Sequence, residues 1–278
     1  MTKNQLLDTA AKLMTEFSPA VLSADMQKVL GAEEFTFFDM PLIGIGSADD
    51  PLFEKLKEPE AVGAQFILPQ QWLSGAKSVI SIFVPYSAAV KKANSRCGKE
   101  DIAPQYIYAK NYTVPYIDAL IGQLVQMIKA EGYSSVVPSA ESARMKEAVT
   151  NPDGSKIKYT SGWSERHIAY LCGLGSFGIS GALITPKGGS GRFISIVTDM
   201  PLEADERPYS EVYEYCTVCG ACAVRCPADA ITKEKGKDKA KCSAFVNITK
   251  DRYAPSYGCA KCQCGVPCAN GIPPKKKK

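Results

Sequence analysis

The feature that most constrains this chain is the run Cys216-x2-Cys219-x2-Cys222-x3-Cys226-Pro227. It follows the ligand spacing of bacterial ferredoxins, in which three thiolates hold one [4Fe–4S] cluster and the fourth reaches across to a second. Two intervening residues let a tight loop wrap one face of a cubane. Gly220 and Ala221 keep that loop free of bulk, and Pro227 turns the chain away after the fourth ligand. A zinc ribbon shows two separated Cys-x2-Cys pairs instead. The single histidine, His167, also argues against a mixed Cys/His zinc site.

Nine of the 11 cysteines lie between Cys216 and Cys268. The second group is irregular: Cys242, then Cys259-x2-Cys262-x-Cys264-x3-Cys268. Two cubanes need eight thiolates, so one cysteine is spare. The first cluster takes Cys216, Cys219 and Cys222, with Cys268 as its return ligand. The second takes Cys226, Cys259, Cys262 and one of Cys242 or Cys264, and spacing does not choose between these two. Cys97 and Cys172 stand alone and read as small packed side chains.

With 278 residues, 45% hydrophobic and 22% charged, the chain suits one large domain and a small one. No apolar run approaches the roughly 20 residues that span a bilayer. The N-terminal MTKNQLLDTAAKLMTEF has neither a signal-peptide core nor a twin-arginine pair, so a cytoplasmic protein with no membrane partner is expected. The net charge of +4 is modest, and the run Lys275–Lys278 supplies as much. That run reads as a solvated tail. No basic stripe interleaved with aromatics is present, so a nucleic-acid partner is not expected.

Hydrophobic spacing predicts a helix over 4–17, with Leu6, Leu7, Ala10, Leu13, Met14 and Phe17 on one face. Loops with short elements fill 35–75. Ser78–Val84 reads as a buried strand, and a long helix runs from Val114 until Gly132 stops it. A strand follows at Tyr133–Val137, a turn-rich loop at 150–162, and a helix at Ser164–Leu171. The stretch GLGSFGISG, the short GALIT and the strand RFISIVTDM come next. Beyond about 205 the texture is short loops punctuated by cysteines. The expected fold class is α/β (α+β), with a boundary near 202–210 that divides residues 1–205 from 206–278.

An ordered set of segments resembles one known family. Gly173-Leu174-Gly175-Ser176-Phe177-Gly178, the strand ending Val197-Thr198-Asp199, CTVCGACAVRCPADAI, Lys241-Cys242-Ser243 and GCAKCQCGVPC together look like epoxyqueuosine reductase, a relative of the reductive dehalogenases. With LPQQWLSGAKSVISIFVPYS upstream, the resemblance covers about residues 65–274. It implies a nitroreductase-like α/β domain that binds cobalamin beside a ferredoxin-like module with two [4Fe–4S] clusters. It gives Cys216, Cys219, Cys222 and Cys268 to one cluster and Cys226, Cys242, Cys259 and Cys262 to the other, leaving Cys264 spare. It also makes Gly173, Gly175, Ser176, Phe177 and Gly178 the lining of the corrinoid pocket.

The departures from that family bear on function. Asn111-Tyr112-Thr113 stands where the family carries Asp-Tyr-His, and Val137-Pro138-Ser139-Ala140 puts proline where the proton-donating aspartate should be. Neither the C-terminal tRNA-holding repeats nor the leader of respiratory dehalogenases is found, so neither of those activities is expected. The remaining proton candidates are His167, just before the glycine loop, and Tyr108 and Tyr112, one helical turn apart. The glycine loop matches G-x-G-x-x-G by letters, but a helix precedes it and a strand follows, unlike a dinucleotide site. Lys187–Arg192 reads as a hairpin turn rather than a phosphate loop.

The function expected is an iron–sulfur oxidoreductase. A low-potential donor such as ferredoxin or flavodoxin feeds two clusters, and a bound cobalamin reduces an unidentified small substrate. The alternative is an electron-transfer or corrinoid-handling protein that serves another corrinoid protein and has no substrate of its own.

Overall fold

The computed structural model describes residues 1–274, and the tail Lys275–Lys278 lies outside the described residues. In chain order the α/β part is built from α1 (Lys3–Phe17), β1 (Leu42–Ser47), β2 (Ser78–Pro85), α2 (Ala88–Arg96), α3 (Pro104–Ala130), β3 (Ser135–Val136) and α4 (Glu165–Leu171). A small hairpin, β4 (Ser176–Phe177) and β5 (Leu183–Ile184), then leads into β6 (Gly191–Thr198). The cysteine-rich part contains one longer helix, α5 (Lys239–Tyr253).

β2 is buried along its whole length, so both its faces must be covered. It pairs antiparallel with β1 on one side and β6 on the other, and β3 closes the sheet in the order β1-β2-β6-β3. Alternation along the strands separates the two faces. Ile80, Ile82, Val84 and Ile196 pack under α1 and α3 with Leu6, Ala10, Tyr116, Leu120 and Leu124. Tyr116 pins the two helices together by donating to the Ala10 carbonyl at 2.9 Å. The opposite face carries Val79 and Val197 under α4, with Trp163 and Trp72, and Phe83 stacks on Phe193 beside the β4–β5 hairpin.

Four elements differ from the sequence expectation. β1 falls inside a stretch that reads as loop, because glycines interrupt its alternation. A Cβ on Gly44 would sit 2.2 Å from the Cys172 carbonyl oxygen, so the end of α4 lies directly on this strand. Helix α3 begins at Pro104 rather than Val114 and runs through Pro115. A proline suits a helix start because its missing N–H would be unpaired there anyway. The cysteine region, expected to be loops, holds the 15-residue α5, capped by Asp238 accepting from Ala240 and Lys241 amides at 2.9 and 3.0 Å. The strand at Tyr133–Val137 shortens to Ser135–Val136.

Residues 205–215 strap the cysteine-rich part to the sheet. The Asp205 carboxylate accepts from the Ile45 amide at 2.8 Å and pairs with Lys3 at 2.6 Å. Arg207 pairs with Asp50, Tyr209 donates to the Tyr170 carbonyl at 2.6 Å, and the Tyr215 amide donates to Ser176 Oγ at 2.8 Å. Among the described residues no helix is long and apolar enough to cross a membrane.

Candidate iron–sulfur and cofactor site

The loops that carry the cysteines are bent by left-handed backbone. Val218 has φ +47°, Gly220 +79° and Ala260 +49°. For a β-branched residue such as Val218 this region is disfavoured, and it persists only where surrounding structure holds it. The bends turn Cys216, Cys219 and Cys222 toward a common small cavity, and Cys268 lines it from the far end of the chain. Gly178 and Ile184 form part of its wall.

The thiols sort by their electrostatic neighbours. Burial pushes Cys268 up to about 12, and the thiols that add to this are Cys222, Cys216 and Cys219. Burial likewise pushes Cys259 to about 12, where the neighbouring thiols are Cys262, Cys242 and Cys226. Cys262 is raised by burial and then by Cys242 and Cys226, while Lys237 and Arg166 oppose the shift. Cys222 is raised by burial to about 11 and feels Cys262 across the gap, so the two sets lie side by side. Thiols this reluctant to ionise alone suit a metal, which takes the thiolate and stabilises it. Among the described residues no three Cys, His, Asp or Glu side chains converge as a single metal ion requires.

Cys264 neighbours Cys262 of the second set but has polar partners of its own. It is fully buried, and its sulfur lies 3.7 Å from Asn94 Nδ2 and 4.0 Å from Ser190 Oγ. Cys97 contacts the buried Lys261 ammonium at 3.0 Å, and Cys172 is packed at the end of α4.

The glycine loop expected to line a corrinoid pocket is filled by the chain itself. A Cβ on Gly175 would lie 2.1 Å from the Ile184 carbonyl oxygen, and one on Gly173 2.9 Å from that of Glu206. Ser176 is buried under the Tyr215 amide, and the Phe177 amide donates to Val212 at 2.7 Å. The close approach these glycines permit is thus to their own hairpin and the strap. Gly178 alone reaches a cavity, that of the first cysteine set. Lys187–Arg192 contains a tight turn, and Gly188, at φ +84°, packs against the Ala269 carbonyl.

The proton candidates do not come together. His167 lies in the first turn of α4, its Nδ1 2.7 Å from Ser164 Oγ and its ring 4.8 Å from that of Phe177. Burial, with Lys239 and Arg166 nearby, lowers its pKa to about 4. Tyr108 and Tyr112 lie across the sheet, on a cleft of about 720 Å³ walled by α3 and the segment 16–26. Tyr112 stacks on Phe37 at 4.4 Å and donates to Met26 Sδ at 3.1 Å, which fixes its hydroxyl. Asn111 lines the same cleft and reaches the cysteine-rich part, donating to Ser256 Oγ at 2.9 Å. Pro115 has no N–H to offer the Asn111 carbonyl, so that acceptor lacks its ladder partner beside the cleft.

Sequence reasoning missed Tyr86, Lys91, Asn94, Tyr106 and Lys261, which lie between the sheet and the cysteines. Asn94 donates to the Cys259 carbonyl at 2.8 Å, Lys261 donates to that of Asn94 at 2.9 Å, and Tyr106 faces Cys264, Cys259 and Cys262. No motif marks them, because their meaning depends on contacts more than a hundred residues away.

These features define an iron–sulfur protein with a mixed α/β body. A model of the 4Fe–4S binding domain matches residues 210–232. The epoxyqueuosine reductase of Bacillus anthracis is 27% identical over 73% of this chain and 51% of its own length. A tetrachloroethene reductive dehalogenase of Desulfitobacterium hafniense is 36% identical over 38% of this chain and 20% of its own. An epoxyqueuosine reductase crystallised with a modified tRNA-Tyr stem loop superposes with a TM-score of 0.54 at 19% identity, over 98% of this chain and 66% of that one. The chain is thus similar in sequence to epoxyqueuosine reductases and, over a shorter stretch, to reductive dehalogenases. It spans about half the length of the first of these curated relatives.

Proposed function

We propose that this chain is a two-cluster iron–sulfur reductase. In this reading residues 1–205 form a nitroreductase-like α/β domain and residues 206–278 a ferredoxin-like module. The observation that carries it is the sorting of the thiols by fours. Cys216, Cys219, Cys222 and Cys268 surround one cavity, and Cys226, Cys242, Cys259 and Cys262 act on one another beside it. A low-potential donor such as ferredoxin or flavodoxin supplies the electrons.

The donor set also fits a large cofactor at the α3 cleft. Ordinary ligand pockets hold roughly 300–1,000 Å³, and this cleft of about 720 Å³ lies in the upper part of that range. Phe17, Met26, Tyr108 and Tyr112 offer apolar surface, while Glu16, Asp25 and Asn111 offer acceptors to amide groups such as a corrin carries. Cobalamin bound there supplies a low-valent, strongly nucleophilic metal for the reduction of a small substrate. The protein's part is to hold that cofactor, and Asn111 ties its site to the module through Ser256.

A second reading, an electron-transfer or corrinoid-handling protein without its own substrate, is favoured by one observation. Val137–Ala140, where the family keeps its acid, is a short 3-10 turn with Pro138 buried in it. The tRNA stem loop bound to the structural relative also keeps nucleic acid open as a partner, against the sequence expectation.

Anaerobic reconstitution with iron, sulfide and cobalamin, followed by desalting and metal counting, tests the proposal. The expected result is about eight irons and about one cobalt per chain. Eight irons without cobalt selects the second reading, and about four irons or fewer rejects the two-cluster assignment.

A further inference from the structure

Glu165 opens α4 and turns its carboxyl inward against the sheet. Oε2 accepts from Ser195 Oγ at 2.7 Å, and the Ser195 oxygen accepts from Trp163 Nε1 at 2.9 Å. Oε1 is closed off from solvent and has no hydrogen-bond partner among the described residues. Ser81 stands opposite Ser195 on the neighbouring strand, and its hydroxyl is also buried without a partner. Directly opposed residues of an antiparallel pair share a face, so both unpartnered oxygens lie on the α4 side of the sheet.

Among the described residues no cation compensates this carboxyl. β2 and β6 bring Val79, Ser81, Ser195 and Val197 to this face, and the preceding loop brings Trp163. Within α4, Arg166 points outward and His167 is neutral. At the far end Cys172 feels Glu165 together with Asp205 and Arg207, and these two are already paired with Lys3 and Asp50. A buried carboxylate without a counter-charge takes up a proton instead. Burial accordingly lifts Glu165 to about 7, with the Ser195 hydrogen bond opposing the shift.

The same turn of helix faces the module. Arg166, the next residue, acts on Cys262 together with Lys237, and Lys239 from α5 acts on His167. An electron placed on the second cysteine set therefore adds negative charge beside the helix that carries Glu165.

We propose that Glu165 is a proton site coupled to reduction of the module. The arriving electron reduces the cluster, and a solvent proton binds the Glu165 carboxylate to give the neutral acid. Reoxidation returns the electron to the acceptor and the proton to solvent. Glu165 lies across the sheet from the α3 cleft, so it compensates charge and does not protonate a substrate. The proposal rests on the cluster assignment.

On the acid side of the transition the carboxyl is already protonated, and reduction draws no proton. Between its pKa in the oxidised protein and its higher pKa in the reduced protein, reduction draws one, so the midpoint potential falls with pH across that interval and is flat on either side. Two measurements on the reconstituted holoprotein test this. Infrared spectroscopy should show a carboxylic-acid C=O band that fades as pH rises through neutrality and is missing in Glu165→Gln. Potentiometric EPR titration should give one cluster whose potential falls with pH in the natural protein and stays flat in Glu165→Gln. Ser195→Ala, which keeps the acid but removes its hydrogen bond, should move both transitions to higher pH. An unchanged slope in Glu165→Gln overturns the proposal, as does an unmoved transition in Ser195→Ala. Failure to hold iron would instead remove the cluster assignment, while the infrared band would still report whether Glu165 is protonated.

Discussion

Cys242 and Cys264 are equally available to the second cluster by spacing, and their surroundings separate them. Cys242 lies in the first turn of α5, among the thiols that act on Cys259 and Cys262. The Cys264 sulfur is engaged by Asn94 and Ser190. Cys242→Ser should therefore lower iron content by about four atoms or alter one cluster's EPR signal. Cys264→Ser should keep the full iron content, and loss of iron from that variant alone would reverse the assignment. The ligand spacing was legible because a cubane imposes it locally on the chain. The choice between these two cysteines was not, since Asn94 and Ser190 come from distant segments. His167 shows the same limit: its chemistry fits proton transfer, while the burial that lowers its pKa comes from contacts such as Phe177 that spacing does not reveal.

At the level of elements, runs of branched residues declared themselves and glycine-marked ones did not. β2 and β6 were readable because both are rich in isoleucine and valine. β1 was hidden by Gly44 and Gly46, which exist to admit the end of α4. α5 was hidden because its apolar residues do not gather on one side, leaving caps and cysteines as its visible marks. The glycine loop packs closely on its own hairpin and on the strap, contacts that its letters alone do not reveal. Gly44→Ala should cost on the order of 1–3 kcal/mol, because its methyl would meet backbone rather than a flexible side chain. Gly122, exposed within α3 with nothing near its missing Cβ, is the matched control. Gly122→Ala should stabilise by roughly 0.5–1 kcal/mol. Urea unfolding of both variants checks the pair, and a neutral Gly44→Ala would mean that α4 does not rest on β1.

For the whole molecule, the question is whether the module and the sheet behave as one body. Asn94, fully buried in α2, is the densest point of contact between them. Its amide donates to the Cys259 carbonyl at 2.8 Å, its Oδ1 accepts from the Ala103 amide at 3.2 Å, and its own carbonyl accepts from Lys261 at 2.9 Å. Arg225 adds a donation to the Ser95 carbonyl at 3.0 Å, and Gly188 meets Ala269 on another side. Asn94→Ala removes the side-chain bonds and strands the Cys259 carbonyl and the buried Ala103 amide. Each such group costs about 1–3 kcal/mol, so a loss on the order of 2–5 kcal/mol is expected in urea unfolding of the holoprotein. The contact reaches Cys259 and not the first cysteine set, so damage should also be uneven. With an iron chelator, one cluster's EPR signal should decay faster in Asn94→Ala than in the natural protein, while the other keeps its rate. Equal acceleration of both would mean that the module loosens as a unit, and no change in either would mean that α2 does not hold the second cluster in place.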